Sequence, residues 1–533
     1  LAVNPRYLQP LISRVGKHSN LADRAANTNQ RMYGLVMLLS SILWLIRNGL
    51  LVAPTTRYFY QIFRRVRGMD SSLAVTSNTW WSFVTVAFFL GGYVSRAKRP
   101  ILRYCRKKPG LAEALLRDCP TIKAPFYPFP LWSFGSLGGV LQTALMELVF
   151  PHLTGTVPSS RTEYLTTNDG GTLKLDWYNQ EGLTPSTPLL VVYPGFLGSS
   201  DAAYMAGILR LARSYSLRVV VYTRRGGGHG RSANFLTSAR TQAIGDGEDS
   251  LVAMAAIRAA YPIAPLLGLG FSLGGHNLLY QLGRDGAETP FTAAVVLGAP
   301  HDLIAESYYL IYQGRVMDYL FRLQMRRMLL QQRNIEAFRA QNIDIEQTVK
   351  AHSSSFRDLV SHTHVPCWGY PDVDTYLRDT SAKCNLPKIK VPTLCVSALD
   401  DPVVCTQDGV LATTVFDHNP YLVSATTATG GHHSYVGLNP FPPTYADKVA
   451  IEWLMACAKL SFPDSSASAS EHACQHAHLL REPKGTLGDQ GRGRIRRDLA
   501  CVFPPMLLPV TLDANSRVKS SNKLQLLENG LNE

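Results

Sequence analysis

Residues 265–280, PLLGLGFSLGGHNLLY, carry the pattern that indicates the fold most strongly. Its apolar beginning is typical of a buried strand, and its second half favours a helix. Between them, residues 270–274 have the spacing Gly-x-Ser-x-Gly, with Ser272 at the centre. A turn this tight leaves no space for a Cβ at either glycine and holds the serine hydroxyl above the end of the sheet. The motif in this setting predicts a nucleophile elbow.

Short runs rich in Val and Leu recur on both sides of this motif. They stand at Leu189–Tyr193, Arg218–Tyr222, Leu266–Leu269, Ala293–Leu297, Thr393–Ser397 and Leu422–Ala425. Helical patterns lie between several of them, one over Asp201–Ala212 with Ser200 as its N-cap and another capped by Asp246. Strands that alternate with helices predict an α/β domain with a mostly parallel, doubly wound sheet.

A serine hydroxyl needs a general base, and the base needs a group that orients it. With this elbow, the order along the chain is Ser, acid, His. Asp401, which precedes Pro-Val-Val after a predicted strand, is the preferred acid, and Asp400 is the fallback. His432, just after two glycines, is the predicted base. His433 is the alternative, although in an extended segment it would point to the opposite side.

An oxyanion that forms during attack needs two preorganised N–H donors. The backbone N–H of Leu273, directly after the nucleophile, is one candidate. The other is the N–H of Phe196 in the loop PGFLGSS, where Gly195 lets the chain turn after an earlier strand. No lysine follows this loop as a nucleotide site would require. We expect no cofactor and no metal.

The charge of the 533-residue chain is concentrated near its beginning. The formal net charge is +14, and many of the basic residues flank apolar segments before residue 115. Residues 71–94 carry no charge and are long enough to cross a hydrocarbon core of about 30 Å. Residues 33–53 include Arg47, so they are a marginal span or an interfacial segment. Residues 1–115 are therefore predicted to be a membrane-associated region.

Three regions follow from these patterns. Residues 116–460 are the predicted catalytic domain, with a cap inserted at about 301–388, and residues 461–533 read as a disordered tail. Apolar residues and arginines alternate within 308–328. This segment suits either a lid for an acyl chain at a membrane surface or an ordinary packed helix. The larger basic cluster, after residue 94, favours a cytosolic catalytic domain. The expected location is an internal membrane such as the endoplasmic reticulum.

The ordered motifs resemble those of alpha/beta hydrolase family 4, in particular the membrane-anchored alpha/beta hydrolase domain-containing proteins one and three. The resemblance spans about residues 115–455. It rests on DCP at 118–120, Trp132, LQT at 141–143, DGGTLKLDWY at 169–178, PGFLGSS with Tyr204, RRGGGHG at 224–230, GDGEDS at 245–250, GFSLGG, CWGYPDVDTYL at 367–377, ALDDPV and GGHH. The resemblance implies an alpha/beta hydrolase fold with Ser272, Asp401 and His432 as a triad. It also implies ester hydrolysis of phospholipids or monoacylglycerols.

We therefore predict a membrane-bound serine hydrolase of lipid carboxylic esters that works through an acyl-enzyme. An acyltransferase that passes the acyl group to an alcohol is the first alternative. A catalytically inactive lipid-binding or scaffold protein on the same fold is the second. A nucleic-acid partner would explain the basic charge, but the chain has no base-reading motif. The expected partners are a lipid ester and a membrane.

Overall fold

The computed structural model describes residues 99–461 except 125–126, 128–132, 134, 151–154, 229–233, 239, 241–247, 407–411 and 438–441. The strands are β1 (Ile101–Tyr104), β2 (Arg161–Thr166), β3 (Thr172–Tyr178), β4 (Leu189–Tyr193), β5 (Arg218–Thr223), β6 (Leu266–Phe271), β7 (Phe291–Leu297), β8 (Thr393–Ala398) and β9 (Leu422–Thr427). They form one sheet with the order β1-β9-β8-β7-β6-β4-β5-β3-β2.

The six predicted strands correspond to β4 to β9, each within two residues at either end. These strands pair in parallel throughout. The outer strands β1, β2 and β3 pair antiparallel and were not predicted. β1 and β2 are edge strands with partly exposed, charged sequences, so they lack the apolar runs that mark strands buried on both faces. The prediction of a mostly parallel, doubly wound sheet is confirmed.

Helices cover both faces of the sheet. They are α1 (Gly110–Arg117), α2 (Pro120–Lys123), α3 (Gly135–Ala144, continued by a π-helical turn at Leu145–Val149), α4 (Met205–Ser214), α5 (Glu248–Ala260), α6 (Leu273–Asp285), α7 (Leu303–Tyr312), α8 (Arg315–Leu329), α9 (Gln332–Arg339), α10 (Ile345–Ala351), α11 (Phe356–Cys367), α12 (Val373–Asp379) and α13 (Tyr445–Ser461). α5 and α6 bury one face of the sheet in a common apolar core. On the other side, α4 packs against β5 and α13, and α13 against β7 and β8.

Helices α7 to α12 lie between β7 and β8 and form a cap. They share an apolar core of their own that includes Met325, Leu329 and Phe338. The same core takes in Leu197 and Leu273, which follow β4 and β6, so the cap packs directly over the carboxyl ends of the central strands. In an open α/β sheet, this edge is where ligands bind.

The helix predicted over Asp201–Ala212 starts later than expected. α4 begins at Met205, and its N-cap is Tyr204, which makes no side-chain capping bond. The prediction of Ser200 as the cap is wrong because its hydroxyl donates to Oδ2 of Asp176 at 2.7 Å instead. Residues 200–204 therefore form a turn that precedes the helix.

In the described ranges, no helix combines the length and the apolar composition needed to cross a bilayer. The segments predicted for the membrane, 33–53 and 71–94, lie outside these ranges, as do Trp132 and Asp246. The tail predicted for 461–533 also lies outside them, except for Ser461 at the end of α13.

A buried ionic cluster holds the end of β5. The guanidinium of Arg225 donates to both oxygens of Asp249, at 2.6 Å each, and to both oxygens of Asp169, at 2.6 and 2.7 Å. Only 2% of the Arg225 side chain is exposed. Asp249 lies on α5 and Asp169 lies between β2 and β3, so one cation connects three parts of the domain.

We expect Arg225→Gln to lower the free energy of unfolding by about 3–5 kcal/mol, because it leaves the buried carboxylate of Asp249 and the partly exposed carboxylate of Asp169 without their cation. Arg161→Gln is the matched control, since the Arg161–Glu163 pair is exposed and such pairs contribute less than about 1 kcal/mol. Chemical denaturation of both variants measures the difference. Equal losses of stability would contradict a structural role for the cluster.

Candidate active site

Ser272 lies at the turn between β6 and α6, where the motif predicted it. Its backbone has φ 51° and ψ −124°, a conformation that a residue with a side chain rarely adopts. A Cβ at Gly274 would lie 2.2 Å from the carbonyl oxygen of Tyr193. A Cβ at Gly270 would lie 2.4 Å from Cα of Gly275. Both glycines are therefore required, and the turn has the geometry of a nucleophile elbow.

Hydrogen bonds link three buried side chains, beginning at the Ser272 hydroxyl. Its Oγ lies 2.7 Å from Nε2 of His432, and Nδ1 of His432 lies 3.0 Å from Oδ2 of Asp401. A carboxylate only accepts hydrogen bonds, so Nδ1 carries the ring proton and Nε2 is left to accept from the hydroxyl. In this arrangement a histidine can take a proton from serine.

The carboxylate of Asp401 is fixed by its own loop. Its Oδ1 accepts hydrogen bonds from the backbone N–H groups of Val403 and Val404, at 2.8 and 2.9 Å. These two bonds leave Oδ2 directed at His432. The Pro-Val-Val sequence that favoured Asp401 thus supplies the donors that orient it.

Asp400, the fallback acid, faces a different set of partners. It accepts hydrogen bonds from the Thr429 hydroxyl and from the backbone N–H of Gly431. Burial raises the pKa of Asp400. The structure brings Asp401 to His432, whereas Asp400 stabilises the turn that precedes His432.

The turn that carries His432 rests on α3. The hydroxyl of Thr143 accepts from the backbone N–H of His432 at 2.9 Å and donates to the carbonyl of Gly139 at 2.8 Å. Gly431 has φ 60°, and a Cβ there would lie 2.6 Å from the same carbonyl oxygen. Thr143 therefore positions the histidine. In the sequence, Thr143 is marked only as part of the LQT motif at 141–143.

His433 occupies a separate, buried site. Its φ is 45°, so the expectation of an extended segment at this point is wrong: the chain turns here. The ring packs edge-on against Tyr204 and Phe271, with centroids 4.7 and 5.8 Å apart. Burial, together with neighbouring His432, holds the pKa of His433 well below its usual value, so its ring is neutral.

The two predicted oxyanion donors lie next to Ser272. Leu273 is the first residue of α6, so its N–H has no acceptor within the helix. Phe196 follows β4 in a loop that lies against the elbow, since a Cβ at Gly195 would be 3.4 Å from Cβ of Ser272. Phe196 and Leu273 line the same pocket as Ser272.

Two side chains hold this loop in place. The hydroxyl oxygen of Tyr204 accepts a hydrogen bond from the N–H of Gly195 at 2.9 Å. Nη2 of Arg224 donates to the carbonyls of Pro194 and Gly195, at 3.4 and 3.3 Å. In the sequence, Tyr204 is marked only by its place after the PGFLGSS motif. Its role depends on the contact with Gly195, which the sequence does not specify.

We expect Tyr204→Phe to lower kcat by about 10-fold, because it leaves the buried N–H of Gly195 without an acceptor and releases the loop that carries Phe196. Tyr215→Phe, at a site where 44% of the side chain is exposed, serves as the control. Steady-state kinetics on one ester substrate measures both variants. An unchanged kcat in Tyr204→Phe would show that the hydroxyl does not position the loop.

A pocket of about 700 Å³, including the space at its open mouth, lies above Ser272 and under the cap. Most of its wall is apolar. It is lined by Phe196, Ser272, Leu273, Pro300, Leu303, Glu306, Ser307, Leu310, Phe321, Phe356, Arg357, Val360, Leu377, Val403 and Val404. A concave apolar wall with few polar groups suits the acyl chain of an ester.

In the described part of the chain, His352, Asp358 and His362 could offer three ligand atoms within 4.8 Å of one another. The two imidazole rings are stacked, with centroids 3.4 Å apart and planes at 7°. Ring-nitrogen lone pairs lie in the planes of the rings, so those of two stacked rings cannot both be directed at one ion unless a ring rotates. None of the three residues lines the pocket of Ser272.

The sheet, the elbow and the helical cap after β7 together form an alpha/beta hydrolase fold. No family model matches the chain. It is 29% identical over 366 residues to Phospholipase ABHD3 of Mus musculus, covering 66% of this chain and 84% of that protein. It is 24% identical to Monoacylglycerol lipase ABHD2 of Danio rerio, covering 68% of this chain and 85% of that protein. The chain is a carboxylic-ester hydrolase similar to these lipid esterases.

Proposed function

We propose that Ser272, His432 and Asp401 act as the nucleophile, the general base and the acid that orients the base. The observation that carries this proposal is the 2.7 Å contact between Oγ of Ser272 and Nε2 of His432, made on a strained elbow. Asp401 holds Nδ1–H, so the imidazole keeps the tautomer that accepts the serine proton.

The reaction then proceeds in two halves. Oγ of Ser272 bonds to the acyl carbon while His432 takes the hydroxyl proton, and the N–H groups of Phe196 and Leu273 bind the oxyanion. His432 gives the proton to the leaving oxygen as the ester C–O bond breaks, and the alcohol departs. Water then attacks the acyl-enzyme, His432 takes its proton, and the proton returns to Oγ as the fatty acid leaves.

The substrate we propose is a lipid ester of the phospholipid or monoacylglycerol type. The names of the similar proteins, phospholipase and monoacylglycerol lipase, support this class. The apolar wall of the pocket also favours a long acyl chain over a short polar one. Hydrolysis of a lipid-ester panel tests the proposal, and an arm with added alcohol separates fatty-acid release from acyl transfer.

We propose that the enzyme works at a membrane, anchored through residues 71–94. The cap supports a membrane contact, because apolar side chains are exposed around the turn between α7 and α8. They are Tyr308, Tyr312, Val316, Tyr319 and Leu320, each 40–68% exposed. Arg315 lies among them and would suit anionic lipid. On α8, Met317 and Phe321 pack against Val403 and Val404, which line the pocket.

We expect the double variant Tyr312→Ser/Val316→Ser to lose about 5-fold in activity on long-chain monoacylglycerol in anionic vesicles, because less apolar surface enters the bilayer. Its activity on a water-soluble short-chain ester should not change. Tyr164→Ser/Ile263→Ser removes two equally exposed apolar side chains outside the cap and is the matched control. Equal losses on both substrates, or in both variants, would count against membrane contact through the cap.

A further inference from the structure

One face of α7 forms part of the pocket wall. Its pocket-lining residues are Leu303, Glu306, Ser307 and Leu310, spaced as one side of a helix. Leu303 and Leu310 suit an apolar wall. Glu306 does not, because a carboxyl group at this position must be buried among apolar side chains.

Only one oxygen of Glu306 has a protein partner. The residue is 6% exposed, and its Oε2 accepts a hydrogen bond from the backbone N–H of Cys405 at 2.9 Å. Its Oε1 is buried and has no hydrogen-bond partner among the described residues. A buried polar atom left unpaired is destabilising, so its presence in a ligand pocket points to a partner that the ligand supplies.

The other polar groups in the pocket wall have partners within the protein. Arg357 donates to the hydroxyl of Ser307 at 2.8 Å and to Asp374 at 2.6 Å. Ser307 in turn donates to the carbonyl of Ile304. Among the described residues of this wall, Oε1 of Glu306 is therefore the polar side-chain atom that has no hydrogen-bond partner.

The surroundings of Glu306 favour its neutral form. Burial, together with the carboxylates of Asp401 and Asp302, raises the pKa of Glu306 well above its usual value. Oε2 already accepts from Cys405, so the proton of the neutral acid belongs on Oε1. Glu306 is then a hydrogen-bond donor with no acceptor among the residues that the structure describes.

We propose that Glu306 donates this hydrogen bond to a hydroxyl or ether oxygen in the alcohol part of the bound ester, and thereby selects glycerol-type esters over simple alkyl esters. The reacting carbonyl oxygen is bound by the N–H groups of Phe196 and Leu273, and a saturated acyl chain has no acceptor. The acceptor is therefore in the alcohol part. The inference rests on the proposed role of Ser272 as the nucleophile.

The test compares kcat/KM for a 1-monoacylglycerol and for the propyl ester of the same fatty acid, which lacks the hydroxyl groups. Glu306→Gln keeps a donor and an acceptor, and we expect the preference for the glycerol ester to stay within about 3-fold of wild type. Glu306→Leu should lose about 10-fold of that preference, beyond any loss that the two esters share because the N–H of Cys405 has lost its acceptor. Ser307→Ala, whose hydroxyl already has protein partners, should leave the preference unchanged. Titration with a fluorophosphonate counts the active sites in each preparation.

The pH dependence of the same ratio is a second readout. Charged or titratable groups near Glu306 are Asp302, which caps α7, Tyr309 on α7, Asp401 and Cys405 after β8, and Arg357 on α11. Because the pKa of Glu306 is raised, its carboxyl keeps the proton to a higher pH than an ordinary glutamic acid, and the donor is lost when the carboxyl ionises. The preference should fall with rising pH in the wild type and stay flat in Glu306→Gln. The reacting acyl group is the same in both esters, so a pH effect on the acyl-transfer chemistry itself cancels in the ratio.

A Glu306→Leu variant that loses equal activity on both substrates would overturn the proposal, since the carboxyl would then only hold the loop at Cys405. The proposal would also be overturned if the ratio of kcat/KM for the two esters were independent of pH in the wild type, as it is expected to be in Glu306→Gln. If the wild type hydrolyses neither ester, the proposed function fails instead. The two failures are therefore distinguishable.

Discussion

Replacement of Ser272 by alanine should lower kcat/KM on every ester substrate by at least about 10⁴-fold. The variant keeps the oxyanion donors and the pocket, but it has no oxygen to form the acyl-enzyme. Residual hydrolysis should reflect only binding and electrostatic stabilisation of water attack. Initial-rate kinetics with a long-chain monoacylglycerol measures the loss.

The fold of this variant should remain intact. Alanine has the same Cβ as serine, so it adds no contact at the elbow, where φ is already 51°. Circular dichroism and the unfolding midpoint provide the control. Activity within 10-fold of wild type, in a preparation free of contaminating esterases, would show that another residue is the nucleophile.

The second large effect concerns the acid. We expect Asp401→Asn to lower kcat by about 10⁴-fold with little change in the fold. Oδ1 of Asp401 accepts two backbone N–H bonds, from Val403 and Val404. An asparagine would keep its oxygen in that place and direct its NH₂ group at Nδ1 of His432. The imidazole would then need its proton on Nε2 and could no longer accept one from Ser272.

Asp400→Asn separates this effect from a general disturbance of the loop. Its carboxylate accepts bonds from Thr429 and Gly431, and it does not contact His432 through its side chain. We expect a loss of less than about 10-fold in kcat, from a looser turn before His432. A loss confined to Asp400→Asn would show that the assignment of the acid is wrong.

The sequence specifies the centre of this domain better than its edges. Strands β4 to β9 are apolar on both faces, and this is the pattern that marks buried parallel strands. β1 and β2 lie at the edges of the sheet and carry no long apolar run. β3 alternates apolar Leu173, Leu175 and Trp177 with polar residues, but it lacks the continuous apolar run that marks strands buried on both faces. The predicted start of α4 was wrong because the hydroxyl of Ser200 donates a hydrogen bond to Asp176, 24 residues earlier in the chain, and does not cap the helix. Contacts far apart in the chain override local capping preferences.

The candidate site shows the same division. Each residue of the candidate site follows a strand: Ser272, Asp401 and His432. Parallel strands end at the same edge of a sheet, so the proximity of these three residues could be predicted. Thr143, on α3, and Tyr204, in the turn before α4, support the site through packing that the sequence does not specify. The expectation for His433 failed because the backbone turns at this residue, with φ 45°, where an extended segment was assumed. Glu306 could not be recognised as a pocket residue until the cap was placed over the elbow.

The catalytic role of Ser272 is tested by treating the full chain, in membranes, with a fluorophosphonate. Mass spectrometry then identifies the labelled peptides. An activated Ser272 should form one phosphonyl adduct on the peptide that contains GFSLGG, and the adduct should be absent from Ser272→Ala and strongly reduced in Asp401→Asn. An adduct on a different residue, or none on folded wild-type protein, would contradict the proposal that Ser272, His432 and Asp401 form the catalytic machinery.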